Sequence, residues 1–312
     1  MDEEIAFTAF ASDNLSGDDS LVSTRDKRDS DGRRGERLTA GIKQFPALKN
    51  NGSAWPVRVY TLGVFSLVLE GKPANPGRQV GRQPLEFLKT LIALGGGKVS
   101  VTSLTSALWP DAEGETAQRS FDATLSYLRK MLGDEHVLVL RDGQITLDTR
   151  YCWVDAWDFE RTLDKTQGIL SKDITGKDAS RLDVLSTRSQ SLYRDHFLAR
   201  EAMTSWSVSL RERLRSKFLH HLLDVGHYWE VHGSWDKAMQ CYQRGIEVDN
   251  LIEDFYQRLM ACCLETQRIS EGMAVYQRCR RILSTLLGLQ PVPETEALHH
   301  SLNGAFLGKH TA

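Results

Sequence analysis

A seven-residue stretch, Ala238-Met239-Gln240-Cys241-Tyr242-Gln243-Arg244, returns 34 residues later as Gly272-Met273-Ala274-Val275-Tyr276-Gln277-Arg278, with four of its seven positions identical. Self-similarity at a period of this length marks a unit of two helices that cannot bury its apolar face alone and must stack on a neighbour. The hydrophobic pattern agrees. Beyond Tyr151, apolar residues recur at helical spacing over 155–166, 181–193, 204–232, 235–248, 251–266, 269–286 and 294–302. In the first unit Leu222, Val225, Gly226, Trp229, Ala238 and Tyr242 occupy the packing places, and Asn250 stands where a closing Pro is expected. Small residues at Gly226 and Ala238 let the paired helices approach while Trp229 and Tyr242 fill the space between them. The second half of the chain is therefore expected to be all-α.

The first half reads differently. Val57 to Lys72 forms two β-rich runs broken at Gly63 and ended by a Gly/Pro/Asn turn, which predicts a small antiparallel sheet. Pro84 then sits where a first helical turn tolerates it, and Leu85, Leu88, Leu91 and Ile92 follow at helical spacing until Gly95-Gly96-Gly97. Ser100 or Thr102 can cap a short helix over 104–109, closed by Pro110. A longer helix over 116–132 ends at Gly133. Two β runs, 137–140 and 145–147, are joined through Arg141-Asp142-Gly143-Gln144, and Asp-Gly is a strong signal for a tight hairpin. The order is sheet, three helices, hairpin.

Projecting the 116–132 helix at 100° per residue separates two faces. Phe121, Leu125, Leu128 and Leu132 must face a core, whereas Arg119, Ala123, Ser126, Tyr127 and Lys130 lie opposite, flanked by Asp122 and Arg129. Cations at the rim suit phosphates, hydroxyls suit base edges or phosphates, and Ala123 leaves room for close approach to a groove floor. A hairpin tipped by Arg141 would reach the neighbouring groove. Bulk charge does not help this reading. Residues 1–54 carry 8 Lys/Arg against 10 Asp/Glu, residues 55–158 carry 11 against 12, and residues 159–312 carry 20 against 19, so nucleic-acid binding must come from where particular side chains point.

Other chemistries lack their residues. The five cysteines form no C-x-x-C pair, and His220, His221, His227 and His232 have no H-E-x-x-H spacing, so no metal site is expected. Gly95-Gly96-Gly97-Lys98 fails the phosphate-loop pattern because Ile92 and Val99 replace the required Gly and Ser/Thr, leaving a helix-ending turn. No nucleophile elbow or paired carboxylates stand out, and an enzyme is not expected. No apolar run reaches the roughly 18–20 residues of a membrane span, and the start lacks a secretion signal, so a cytoplasmic protein without membrane contact is expected. Residues 1–54 mix Ser, Gly, Asp and Arg with few large apolar residues and read as a disordered tail.

These residues together resemble a family. Leu62-Gly63-Val64-Phe65, Ala107-Leu108-Trp109-Pro110-Asp111, Ser120-Phe121-Asp122-Ala123-Thr124-Leu125, Leu128-Arg129-Lys130-Met131-Leu132-Gly133 and Trp153-Val154-Asp155-Ala156-Trp157-Asp158-Phe159-Glu160 carry the likeness. So do Leu192-Tyr193-Arg194, Arg211-Glu212-Arg213-Leu214 and Pro293-Glu294-Thr295. In that order they resemble the Streptomyces antibiotic regulatory proteins and their relatives, which pair an OmpR-type winged helix with a tetratricopeptide-like bacterial transcriptional activation domain. Tyr127 stands where relatives usually carry Arg. The resemblance implies an α+β winged-helix domain over 55–159 followed by an all-α tetratricopeptide-like repeat domain over 160–312. It further implies a transcriptional regulator, an activator, whose third helix enters the major groove of double-stranded DNA without a cofactor; by the projection above, Arg119, Ala123, Ser126, Tyr127, Arg129 and Lys130 on that helix and Arg141 on the wing are the expected contacts. RNA polymerase or another regulator would meet the helical repeats, and a homodimer would form on DNA. The alternative is a protein-interaction adaptor whose winged helix does not bind DNA.

Overall fold

Alternation builds the opening sheet: Val57 and Val59 are buried while Arg58 and Tyr60 are half-buried in β1 (Val57–Tyr60), which pairs antiparallel with β2 (Ser66–Leu69) in the register Val57 to Leu69. The computed structural model describes residues 55–74, 82–172 and 176–310, with side chains to 307. The expected tail over 1–54, and the Asn75-Pro76-Gly77 part of the first turn, lie outside the described residues. Two further strands join this sheet: β3 (Lys72–Pro73) beside β2, and, defined below as β7, a strand that arrives from the far end of the domain.

Helix α1 (Arg82–Ala93) carries Pro84 in its first turn, where a missing N–H costs nothing. It ends where Gly95 and Gly96 take φ of 102° and 70°, and the Gly96 amide returns to the Leu91 carbonyl at 2.9 Å. A Cβ on Gly96 would lie 2.1 Å from Cζ2 of Trp157, so the indole needs a glycine there. The triple glycine thus stops a helix and seats a tryptophan. Two residues, β4 (Val99–Ser100), lead into α2 (Val101–Leu108), then α3 (Gly114–Leu132) and a one-turn 3-10 segment, Glu135–Val137. The hairpin follows as β5 (Leu138–Arg141) and β6 (Gln144–Leu147), and β6 also pairs with β4, giving the order β4-β6-β5. Then β7 (Cys152–Val154) pairs parallel with β1, Val57 opposite Cys152.

Among the described residues seven helices follow: α4 (Asp155–Leu170), α5 (Gly176–Leu192), α6 (Ser205–Val231), α7 (Trp235–Val248), α8 (Glu253–Glu265), α9 (Ile269–Leu287) and α10 (Pro293–His310). The expected packing of the repeat is present. A Cβ on Gly226 would lie 2.4 Å from the Tyr242 ring, and Trp229, Ala238 and Tyr242 are buried. Gly245 in α7 admits the Phe255 ring of α8 in the same way, with 2.2 Å to an added Cβ. The fold is a winged helix followed by an all-α repeat region.

The two regions share one continuous core, in which Phe159 of α4 packs against Tyr193 and Phe218 at 5.3 and 5.5 Å between ring centroids. The expected division after Phe159 falls inside α4. At the seam, the buried carboxylate of Asp155 accepts hydrogen bonds from the Thr61 amide (2.7 Å), the Thr61 hydroxyl (2.7 Å), the Leu62 amide (2.9 Å) and its neighbour Ala156 (2.8 Å). Burial pushes this carboxyl above the usual range, while those donors and Arg194 at 3.6 Å favour the ionised form. Backbone bonds between 61–63 and 196–199 close the seam: Gly63 donates to His196, Leu198 to Thr61 and Ala199 to Gly63.

Candidate nucleic-acid interface

The outward face of α3 is decided by what its inward face must bury. Phe121, Leu125, Leu128 and Leu132 go inside as their spacing predicts, with Phe121 against Phe87 of α1 at 5.5 Å, and Thr124 joins them by donating its hydroxyl to the Ser120 carbonyl at 2.7 Å. This leaves Arg119, Asp122, Ala123, Ser126, Tyr127 and Lys130 exposed. Arg119, Ala123, Ser126 and Lys130 are spaced at i, i+4, i+7 and i+11, so they form one stripe along the helix. Arg129 and Lys130 in the last turn suit the negative end of the helix dipole, as Glu115 in the first turn suits the positive end. The helix stops at Gly133, whose φ is 79°.

The side chains on this face are in different states of engagement. Arg119 donates to Glu115 at 2.8 Å, an exposed pair that water screens and a phosphate can displace. Gln118 holds Asp122 at 3.1 and 3.2 Å. Tyr127 is 41% exposed. Arg129 is half-buried, and its Nε and Nη2 both donate to the Leu138 carbonyl, at 3.2 and 2.8 Å. Arg141 is exposed at the end of β5, opposite Gln144. Between them Asp142 and Gly143 have φ of 51° and 69°, the pair of positive values that a two-residue hairpin turn takes to match strand twist.

Between α3 and β5 lies a cleft of about 670 Å³ that brings together Ser126, Arg129 and Lys130 with Asp122, Asp134, Glu135 and Leu140. Arg119, Ala123, Tyr127 and Arg141 do not line it. Sequence reasoning passed over its acidic wall. Asp134 accepts from the His136 amide at 2.8 Å and pairs with the His136 ring, and these bonds hold its carboxyl below the usual range. The signal was the run Gly133-Asp134-Glu135-His136 itself, a helix stop followed by an Asx-type turn. Leu140, 38% exposed, is an apolar residue at the same mouth.

Elsewhere the polar groups serve structure. His221 is buried with its Nε2 at 2.8 Å from the Ser189 hydroxyl, and burial lowers its pKa to about 4. The five cysteines are free and buried, and among the described residues no group of three or more His, Cys, Asp or Glu is placed to hold a metal ion. Among the same residues no helix is long and apolar enough to cross a membrane.

Residues 154–303 match the family described as the bacterial transcriptional activator domain. No curated protein matches the sequence. Among solved structures, Mycobacterium tuberculosis EmbR, determined in complex with a low affinity phosphopeptide, superposes with a TM-score of 0.60 at 18% identity over 80% of this chain. The chain spans 65% of the length of EmbR, just under two thirds, and at that identity the likeness establishes the fold. The matched family is one of transcription regulators and not of enzymes. The match begins at the last residue of β7, where the winged helix gives way to α4. The helical part, residues 154–303, is therefore similar to the bacterial transcriptional activator domain, and with the winged helix ahead of it the chain shares its fold with EmbR.

Proposed function

We propose that this protein is a DNA-binding transcriptional activator of the cytoplasm. Helix α3 enters the major groove of double-stranded DNA, and the β5–β6 hairpin reaches the adjacent groove. Arg119, Ser126, Tyr127 and Lys130 meet phosphates and base edges, Ala123 allows the helix backbone to come close, and Arg141 serves the wing. The helical domain meets RNA polymerase or another regulator, and two copies share one operator. The observation that carries this reading is the exposed stripe of α3 set beside a two-residue hairpin whose last strand residue is a cation. Domain charge is near neutral, so affinity rests on a few cations and its salt dependence is expected to be shallow.

A salt titration tests the source of affinity. Each phosphate neutralised contributes about −0.9 to the slope of log K against log salt. A double variant, Lys130→Ala with Arg141→Ala, should make the slope shallower by about 1.8 if each meets one phosphate. An unchanged slope removes both residues from the contact set and favours the adaptor reading.

A further inference from the structure

The hairpin registers show what the base of the wing needs. Arg141 pairs with Gln144 across a two-residue turn, so Val139 with Thr146 exchanges ladder bonds, whereas Leu138 and Leu140 turn their backbone groups away from β6. The sheet order β4-β6-β5 makes β5 an edge strand, and that outward side faces the cleft beside α3. The Leu138 side chain is fully buried, so its carbonyl stands at the edge of the core. It is here that Arg129 places both N–H groups of one guanidinium edge, at 3.2 and 2.8 Å. Among the described residues this is the side-chain hydrogen bond that ties α3 to the hairpin.

We infer that Arg129 is a positioning residue that fixes the angle of the wing to the recognition helix, and not itself a phosphate contact. The inference rests on the DNA-binding reading above. Leu138 is three residues from Arg141, roughly 10 Å along a strand, so a small rotation at the base sweeps the wing tip through several ångströms. A guanidinium suits the task because two parallel N–H groups on a rigid plane fix direction as well as distance. An ammonium keeps the charge but cannot make that fork. Arg129→Lys therefore separates the two roles: a phosphate contact survives it, and a wing brace does not.

The test uses the full chain with Arg129→Lys and, as a second variant, Arg129→Gln. In the DNA-free protein, hydrogen exchange at amides 139–146 should accelerate about tenfold in both variants, as for loss of one charge-assisted bond, while α1 amides stay as in the parent. On a selected duplex, both variants should lose about tenfold in affinity. Adding either change to Arg141→Ala should cost nothing more, because the brace acts through the wing tip. The inference is overturned if Arg129→Lys binds like the parent with unchanged hairpin exchange. Loss of the whole fold in both variants would also overturn it, by making Arg129 a general core residue. If the parent selects no duplex, the DNA-binding reading fails, and the exchange comparison still decides whether Arg129 holds the wing.

Discussion

Gly96 shows how much one residue without a side chain can settle. Its backbone is left-handed at φ of 70°, and the Trp157 ring occupies the space where a Cβ would go. Gly96→Ala should therefore cost about 2–4 kcal/mol, from backbone strain and a displaced indole together, and a denaturant melt reads it directly. A loss below ~0.5 kcal/mol would mean that the indole moves aside freely. In sequence this glycine was legible as a helix stop but not as a seat, because its partner lies 61 residues away and no local pattern names it. Ala123 was legible in full: its neighbours Phe121, Thr124 and Leu125 are buried, so it must face out. Arg129 was half legible. The helical projection puts it at the flank, but what it meets is an edge carbonyl nine residues on, which exists only once the hairpin has paired.

Elements follow the same division between local and remote information. Helix α7 runs Trp235–Val248 as its periodicity predicts, and the hairpin turns at Asp142-Gly143 as the dipeptide predicts, since both are set by residues in contact with one another along the chain. Strands β3, β4 and β7 were not foreseen. They are two or three residues long, and β7 is a strand only because Val57–Val59 lies alongside it, nearly a hundred residues earlier. The α5–α6 pair carries a titratable group whose effect has a definite sign. His221 is buried and its pKa is lowered from 6.5 to about 4, so between those values the unfolded chain binds a proton that the folded one does not. Its stabilising contribution is complete above pH 6.5 and is lost as pH falls toward 4, about 3 kcal/mol in all. His221→Gln, which can still reach Ser189, should flatten the fall in melting temperature between pH 7 and pH 4.5 relative to the parent. Parallel curves would mean that the ring protonates without opening the helix pair.

At the scale of the molecule, several of the motif residues, Leu62, Asp155, Arg194 and Arg211 among them, gather at the seam between the winged helix and the helical domain. Asp155 ties the Thr61-Leu62 turn to the start of α4, and Arg194 sits 3.6 Å from the same carboxylate and over the Tyr60 ring. Arg211 of α6 donates to the Phe197 and Leu198 carbonyls, both at 2.9 Å, on the segment that bonds to Thr61 and Gly63. Lys89 of α1, its side chain 8% exposed, reaches Glu201 at 2.6 Å. These contacts thus form a joint between the two regions, and none of them uses the exposed stripe of α3. Asp155→Ala leaves three amides and a hydroxyl without their acceptor and should cost about 3–5 kcal/mol, with Asp155→Asn recovering part of it. Equal stability of both variants and the parent would show that water fills the gap.

Selection of bound duplexes from a random pool, run with the parent and with Ala123→Glu, tests the central claim most directly. On the proposed reading the added carboxylate would face phosphates at the middle of the stripe, yet Glu is a good helix former and the buried residues of α3 are untouched, so stability should stay within about 0.5 kcal/mol of the parent. Leu125→Glu serves as the contrast, since it buries an unpaired charge and should unfold the domain. The parent should enrich a defined site, and Ala123→Glu, folded like the parent, should enrich none. Retention of the same site at the same affinity by Ala123→Glu would contradict the account, because the stripe of α3 would then not enter the groove.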